Sequence, residues 1–553
     1  MEPVTRRERY LAAIAESDGG ELPAPVTRIE EYLAAIAGSY DGDLPAPVTR
    51  EEHYLAKIAE NGGGGGSFPP VKNLVEFLTY WFPTRATGEL FTRSFYRQSV
   101  SASGIGTAED DAVGLKCEPS TDVKEGVDDF ATHNAFWWTD CNFIVDDNGV
   151  RIPTVLDGQP GFTRTGKVQV GVLTPPLYWG EEKTDTVIKK YFSDKKNPKN
   201  RPNLTLTLCP WCRDAYGNPM PYGIVPKYYA GEIDGMMYGS SGLMPKLYIS
   251  YNLLHTEVQK LGKGYLGSGA ERSAYLKNFL WIKYGTLSST SKFRGNTGNN
   301  YQYKAAAVSA GERFFTVKAT EAKNLYVGGA VSIGDPAGNM NLDRGQSYMH
   351  NIKKQAKISD IVTDGENAKI YLDGAAFDVT ETSYLSTMPL ASGQTDAVLG
   401  SDGYLVEDWK HSYKIQGVEE GIGAHYVSAN EVMDKTTATQ TDFYIRTSQN
   451  WNNGLTEIKK WKKTGSLTRE GTTDFFIGET RVDLETGAEV PLTEVQSDAQ
   501  MTGDRFYFGG VGTGTREYST RGLLSNWSHA GLSCVSGWDG LSTGNWNCAA
   551  CVS

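Results

Sequence analysis

Two cysteine pairs stand at the spacing that grips a metal or cycles a disulfide, Cys209-Pro-Trp-Cys212 and Cys548-Ala-Ala-Cys551. Four thiolates together would make a structural zinc site. Each half is a lone CxxC some 340 positions from the other, and no βαβ pattern of the thioredoxin kind surrounds the first. The expectation is therefore thiols without metal or redox function. Cys117, Cys141 and Cys534 complete the seven cysteines and read as small packed residues. Paired acids at Asp110-Asp111, Asp128-Asp129 and Asp146-Asp147 lie in Gly/Asn-rich turns. Such pairs either hold Ca²⁺ through oxygen ligands or cap their own turns, and the second is the more ordinary use. His133, His255, His350, His411 and His425 are scattered singly and read as surface or satisfied core residues. Gly262-Lys-Gly264-Tyr-Leu-Gly267 fits GxGxxG, but nothing strand-like precedes it, so dinucleotide binding does not follow. No HExxH, P-loop, GxSxG elbow or EF-hand loop occurs. No catalytic residue, metal or cofactor is assigned.

The elements that would position these groups are mostly strands. A chain of 553 residues calls for two to four domains. With 62 glycines and 30 tyrosines it reads as turn-rich, α+β and β-rich. A net charge of −12 lacks the basic face that a nucleic-acid binder needs. No apolar run reaches the roughly 18 residues of a membrane span, so neither nucleic acid nor membrane is an expected partner. The start, Met1-Glu-Pro-Val-Thr-Arg-Arg-Glu, has no apolar h-region, and synthesis in a cytosol without a secretory signal is expected.

Residues 1–61 are an internal repeat, with Pro-Val-Thr-Arg at Pro3, Pro25 and Pro47, a 22-residue spacing. Thr5, Thr27 and Thr49 are N-caps, and Glu8, Glu30 and Glu52 complete capping boxes. Each helix carries a narrow apolar stripe: Tyr10, Leu11 and Ile14; Tyr32, Leu33 and Ile36; Tyr54, Leu55 and Ile58. Helices of about 10 residues are marginal alone. They read as docking helices that gain order on a partner groove, with avidity from three copies, or as a small cap on the body. A Gly/Pro linker (62–70) follows, then a β-rich body (71–229) that opens with an amphipathic element from Asn73. In 230–300 the set Tyr275, Leu276, Phe279, Leu280 and Ile282 has helical spacing, with Gly285 as the C-cap. Residues 301–400 read as an inserted all-β module, with short strands at Arg313–Ala319, Leu325–Val327, Val331–Ile333, Ala356–Ile358, Ile361-Val362 and Lys369–Leu372.

The last stretch, Gly509 to Ser553, is dense in Gly, Ser, Asn, Thr, Trp and Cys, the composition of a recognition surface. Its order is Ser528-His-Ala-Gly-Leu-Ser, Gly540-Leu-Ser, Asn545-Trp-Asn and Ala549-Ala550. It resembles the C-terminal variable region of C-type-lectin-fold proteins diversified by retroelements, phage tropism determinants among them. Cys551 stands where the family ends on Arg. Residues from about Gly269 to Gly295, and Lys414 to Asn450-Trp-Asn-Asn-Gly, resemble other parts of that fold, so 230–300 and 401–553 would be one lectin-like domain.

The resemblance implies small fixed residues holding a frame and exposed positions contacting ligand. In the family those positions derive from AAC-type codons randomised at adenine, which cannot give Trp. Asn526, Ser528, His529, Ser533, Ser536, Asp539, Thr543, Asn545 and Asn547 are then ligand contacts, and Trp527, Trp538 and Trp546 are buried scaffold. The implied function is a phage or prophage virion adhesin, a host tropism determinant without enzymatic activity. It would bind a bacterial surface receptor, protein or glycan, and other virion proteins through the repeats. A homo-oligomer is implied, a trimer among the options, located in the virion. The alternatives are a structural virion protein, or an enzyme of the formylglycine-generating type, which shares the fold and works through cysteines.

Overall fold

The computed structural model describes residues 73–97, 104–447, 458, 460–498 and 501–553. The N-terminal repeats with their nine stripe residues, the linker and Asn450–Gly454 lie outside the described residues. Among the described residues, 73–81 with Gly158–Pro160 belong to one unit, and those of 82–157 and 161–553 to a second. The amphipathic element expected from Asn73 is helix α1, Leu74–Arg85, whose first turn is capped by the Asn73 carboxamide accepting from the Glu76 N–H (3.0 Å). Among the described residues no helix is long and apolar enough to cross a membrane.

The second unit is built of sheets with two main helices, α2 (Tyr251–Val258) and α3 (Ala270–Tyr284). α3 ends where the sequence placed its C-cap: Gly285 has φ +59°, and its N–H returns to the Trp281 carbonyl (3.0 Å). The expected apolar set is buried, and so are Glu271, Arg272, Lys277, Asn278 and Lys283, so α3 is enclosed on every side. Tyr275 and Phe279 pack with Phe91 and Phe192 of a five-stranded sheet and with Val172 and Val225 of a four-stranded one. The five-stranded order is Thr207–Leu208, Tyr178–Lys183, Val187–Ser193, Phe91–Tyr96, Thr107–Asp110; the four-stranded order is Gly223–Pro226, Gln169–Thr174, Thr139–Val145, Arg151–Leu156. This core also takes in Ile415, Val418, Met501 and Leu532. The boundary expected at 229/230 is therefore no break in packing: residues on both sides of it share one core, because α3 supplies the apolar surface for both.

Residues 302–388 form a six-stranded sheet, ordered Gln302–Lys304, Tyr384–Met388, Ala330–Gly334, Lys353–Asp364, Asn367–Leu372, Phe314–Lys318. It has its own core around Phe315, Val331, Ile358, Ile370 and Leu385. Leu325–Val327, expected as a strand, is a turn after the one-turn helix Ala319–Ala322. The C-terminal half builds a nine-stranded sheet around the long strand His425–Lys435. That strand pairs with Gln440–Ile445 and Gly514–Thr520, and Val535–Ser536 lies beside the latter. Near the chain's end Cys548–Ala549 runs parallel to His425-Tyr426. Backbone bonds from Ala230 to Ala550 (2.9 Å), Ser268 to Cys551 (3.1 Å) and Leu266 to Ser553 (3.0 Å) tie the last residues into the frame.

Candidate functional site

Between Arg521 and Asn547 the chain makes a turn, a 3-10 segment (Trp527–His529), a second turn, the short strand Val535–Ser536, and a loop returning to the sheet at Cys548. Bonds within the turns and to distant strands hold it. Asn526 Oδ1 accepts from the Leu523 N–H (2.5 Å), and its Nδ2 donates to the Tyr507 hydroxyl. Ser533 donates its N–H to Asp504 (2.7 Å) and its hydroxyl to Glu489 (3.3 Å). Ser536 lies opposite Ser519 and Tyr507 in the sheet, and the Asn547 carbonyl accepts from the His425 N–H (2.7 Å).

These four side chains are buried, which corrects the expectation that Asn526, Ser533, Ser536 and Asn547 present themselves to a ligand. Small polar residues are what tight turns use to satisfy their own backbone, so composition alone does not separate frame from face. The tryptophans are corrected in the opposite sense. Trp546 is buried beneath the Arg344 guanidinium (4.8 Å from the ring centroid), as scaffold should be. Trp527 and Trp538 are 50% and 58% exposed.

Two exposed groups result. In the first, the Trp527 N–H donates to the Thr297 carbonyl (2.9 Å), and its backbone is left-handed, φ +47°. Its ring lies against Gly298, where an added Cβ would come within 2.6 Å, and 6.0 Å from the Trp409 ring. Arg294 stacks on Trp409 (5.3 Å) and pairs with Glu407 (3.3 Å). Ser528 donates to Asp498 (2.9 Å), and His529 Nε2 lies 3.6 Å from the same carboxylate, its ring edge-on to Phe476 (5.1 Å). Burial pulls the His529 pKa down, and Asp498 opposes it. Sequence reading missed Trp409, Asp498 and Phe476, because they come to the site from other parts of the chain, Phe476 on the strand Phe475–Ile477. A tryptophan in the Gly/Asp-rich turn Ser401–Lys410 was the available signal.

The second group is Trp538, Asp539, Thr543 and Asn545, with the Gly509 backbone against Trp538. The Trp538 carbonyl accepts from Arg516 (3.4 Å), and the Asp539 carbonyl from the Glu517 N–H (3.1 Å). Thr543 is exposed, and half-buried Asn545 turns its Oδ1 back to the Trp546 N–H (2.8 Å).

Beneath Asp539 its carboxylate, that of Glu517 and the Cys548 thiol lie within 4.8 Å of one another. Burial pushes Glu517 up to about 8 and Cys548 well above its usual range, so at neutral pH these two are protonated rather than anionic metal ligands. The other such trio among the described residues, Cys117, Asp128 and Asp402, is answered from inside by the Lys283 ammonium, 2.8 Å from Asp128 and bonded to Asp402. Neither trio contains Cys209, Cys212 or Cys551. Burial raises those three thiols as well, the latter two to about 12, so none is a ready nucleophile. The Asp pairs serve their own turns and neighbours: Asp110 accepts from Thr92 (2.7 Å), Asp111 from the Leu90 N–H (2.8 Å), Asp129 from the Lys116 N–H (2.9 Å) and Asp146 from the Val150 N–H (2.9 Å).

No protein-family model matches the chain, and no curated protein matches it.

Proposed function

We propose that this chain is a phage or prophage virion adhesin of the C-type-lectin-like, retroelement-diversified kind. Its C-terminal face binds a receptor, protein or glycan, on a bacterial surface. Residues 1–61 dock the chain on the virion, and copies associate to multiply weak contacts. The observation that carries the reading is the division of labour in the last forty-five residues. Buried polar side chains knit the turns to the sheet, while Trp527, Trp538, His529 and Thr543 stand outward on them. Large rigid aromatics among small polar groups suit a recognition surface. Outward residues on a self-supporting frame can change at a stability cost within about 0.5 kcal/mol, so the ligand can vary while the fold persists.

The test changes the outward residues alone. In the full chain, His529→Ala, Trp538→Ala and Thr543→Ala together should weaken attachment to host cells by about tenfold or more, as loss of interface aromatic anchors does. The melting temperature should move by no more than a few degrees. Undiminished attachment would remove this face from the reading.

A further inference from the structure

A cavity of about 360 Å³ opens at the N-terminal end of α3, lined among others by Arg151, Arg213, Arg446, Lys462, Glu271 and Asn430. Its size is at the small end of the range for small-molecule sites, about 300–1,000 Å³. Glycines build its wall. An added Cβ on Gly264 would lie 1.6 Å from the Asp146 carbonyl oxygen, and Gly267 has φ +76°. The GxGxxG run thus has a physical reason: its glycines let two backbone segments meet at the cavity's edge. It follows α2 and the 3-10 turn Gln259–Leu261 rather than a strand, so it is not a dinucleotide loop.

Acids line the cavity beside the cations, but they do not pair directly with Arg151 or Arg213. Glu271 accepts from the Ser268 hydroxyl (2.9 Å), the Gly269 N–H (2.9 Å) and Asn430 (3.4 Å). Asn430, carried by the irregular stretch of the strand His425–Lys435, also caps the Ala270 N–H (3.0 Å). Asp214 is folded onto its own turn, accepting from the Tyr216 and Asn218 N–H groups (both 2.8 Å). Lys462 is paired with Asp483 (2.6 Å) and lies 3.4 Å from Glu485. Glu271 and Asp214 are thus hydrogen-bonded by neutral donors and attract Arg151 only through space. Arg151 and Arg213 have no carboxylate within 4.0 Å among the described residues; Arg151 donates to the Arg213 carbonyl, and Arg213 to the carbonyls of Gly217 (2.9 Å) and Leu208 (3.4 Å). Arg151 is 5% exposed, and its Nε has no hydrogen-bond partner. A buried guanidinium with an idle N–H in a polar cavity is short of an anion.

We infer that this cavity is a second ligand site, separate from the C-terminal face, for a small anionic molecule whose carboxylate or phosphate is held by Arg151 and Arg213. Guanidinium forks suit both oxyanions, and the polar remainder of the lining suits a hydroxylated body such as a sugar. Burial pulls the Arg151 pKa down, and the through-space attraction of Glu271 and Asp214 only partly opposes it.

Calorimetric titration of the full chain at fixed ionic strength tests this, with inorganic phosphate, galacturonate and neutral galactose as separate probes. Saturable one-to-one binding of phosphate or galacturonate, with none of galactose, is expected; which anion binds identifies the source class. Arg213→Gln should weaken that binding by about tenfold or more while the melting temperature stays within a few degrees, as loss of a charge-assisted bond predicts. Arg151→Lys, which keeps the charge but not the fork, should weaken it too. The His529, Trp538 and Thr543 variant should bind the anion normally, so this site and the attachment face stand or fall separately. No saturable binding of either anion at about 10 mM, or undiminished binding in folded Arg213→Gln, would overturn the inference.

Discussion

The surroundings of α3 and the turns between Arg521 and Asn547 are both rich in buried polar groups, but they satisfy them with different chemistry. On α3 each cation meets an acid from a distant part of the chain: Arg272 meets Glu420, Lys277 meets Glu489, and Lys283 meets Asp128 and Asp402. The turns use hydrogen bonds of small polar residues instead, some local, as from Asn526 to Leu523 or Asn545 to Trp546, and some to strands, as from Ser533 to Asp504 and Glu489. Long-range ion pairs with fixed geometry fix how sheets sit about a helix, and one missing partner leaves a buried charge. Local bonds fix only the shape of a loop, and they leave its outward side chains free to differ. One region is a lock between elements; the other is a mount.

The largest effect should come from opening that lock. Burial alone would push the Glu420 carboxyl up, but the guanidiniums of Arg272 and Arg521, with the Tyr229 hydroxyl (2.7 Å), hold it at about 2. Arg272 also stacks on Tyr229 (5.1 Å) and Tyr426 (5.5 Å). Arg272→Met removes half of that compensation and should cost about 3–5 kcal/mol, read as a drop of several degrees or more in melting temperature. Adding Glu420→Gln should recover part of the loss, because the uncompensated charge goes with it. A single variant as stable as the parent would mean that the pair is ornamental.

How much of this was legible in the sequence divides along the same line. α3 and its Gly285 cap were, because helical periodicity and a left-handed C-cap are local signals. So were the strands around Phe314, Val331 and Lys369, written as short β-branched and aromatic runs between turns. The enclosure of α3 was not. Lys277 and Lys283 look like a solvated face until Glu489 and Asp402 arrive from more than a hundred residues away. The face was half legible. Its composition pointed to the right segment, but Asn526 and Ser533 are chemically indistinguishable from contact residues until Tyr507 and Glu489 are seen to take their hydrogen bonds. Trp527 looked like scaffold because the resembled family's codon rule cannot give Trp at a varied position; Gly298 and Trp409 cover only part of its ring.

A smaller effect, with a sign that depends on pH, should mark the trio under the second exposed group. Folded Glu517 stays neutral up to about pH 8, whereas unfolded glutamate ionises near about 4.3. Its raised pKa is a contribution fully present below the unfolded value and lost as pH rises toward the folded one. Glu517→Gln keeps the neutral shape and the acceptor for the Ser519 hydroxyl (2.8 Å) without that loss. The variant's melting temperature, measured against the parent, should climb by a few degrees between about pH 5 and 8 and level off above. A difference that stays flat with pH would mean that Glu517 is ionised in the fold, and that the trio is compensated by a cation.

The smallest stability effect should be at Trp527, and it sharpens the comparison because Trp546 is the same residue nineteen positions on. Trp546 packs among Tyr426, Ala549 and Leu524 under Arg344. Trp546→Ala opens a large cavity there and should cost about 3–5 kcal/mol. Trp527 is half exposed, rests on the Gly298 backbone and takes an unfavourable left-handed backbone. Truncating it loses one face of contact with Trp409, leaves the backbone bond to Thr297 in place, and should cost no more than about 1 kcal/mol. Thermal unfolding of the two variants side by side measures the difference. If Trp527→Ala is as costly as Trp546→Ala, its ring is a wedge that holds the turn, and the left-handed backbone is there to pack it. If it costs little while host attachment falls, the strained turn exists to hold an aromatic ring out to a ligand, a use for which strained backbone positions are retained.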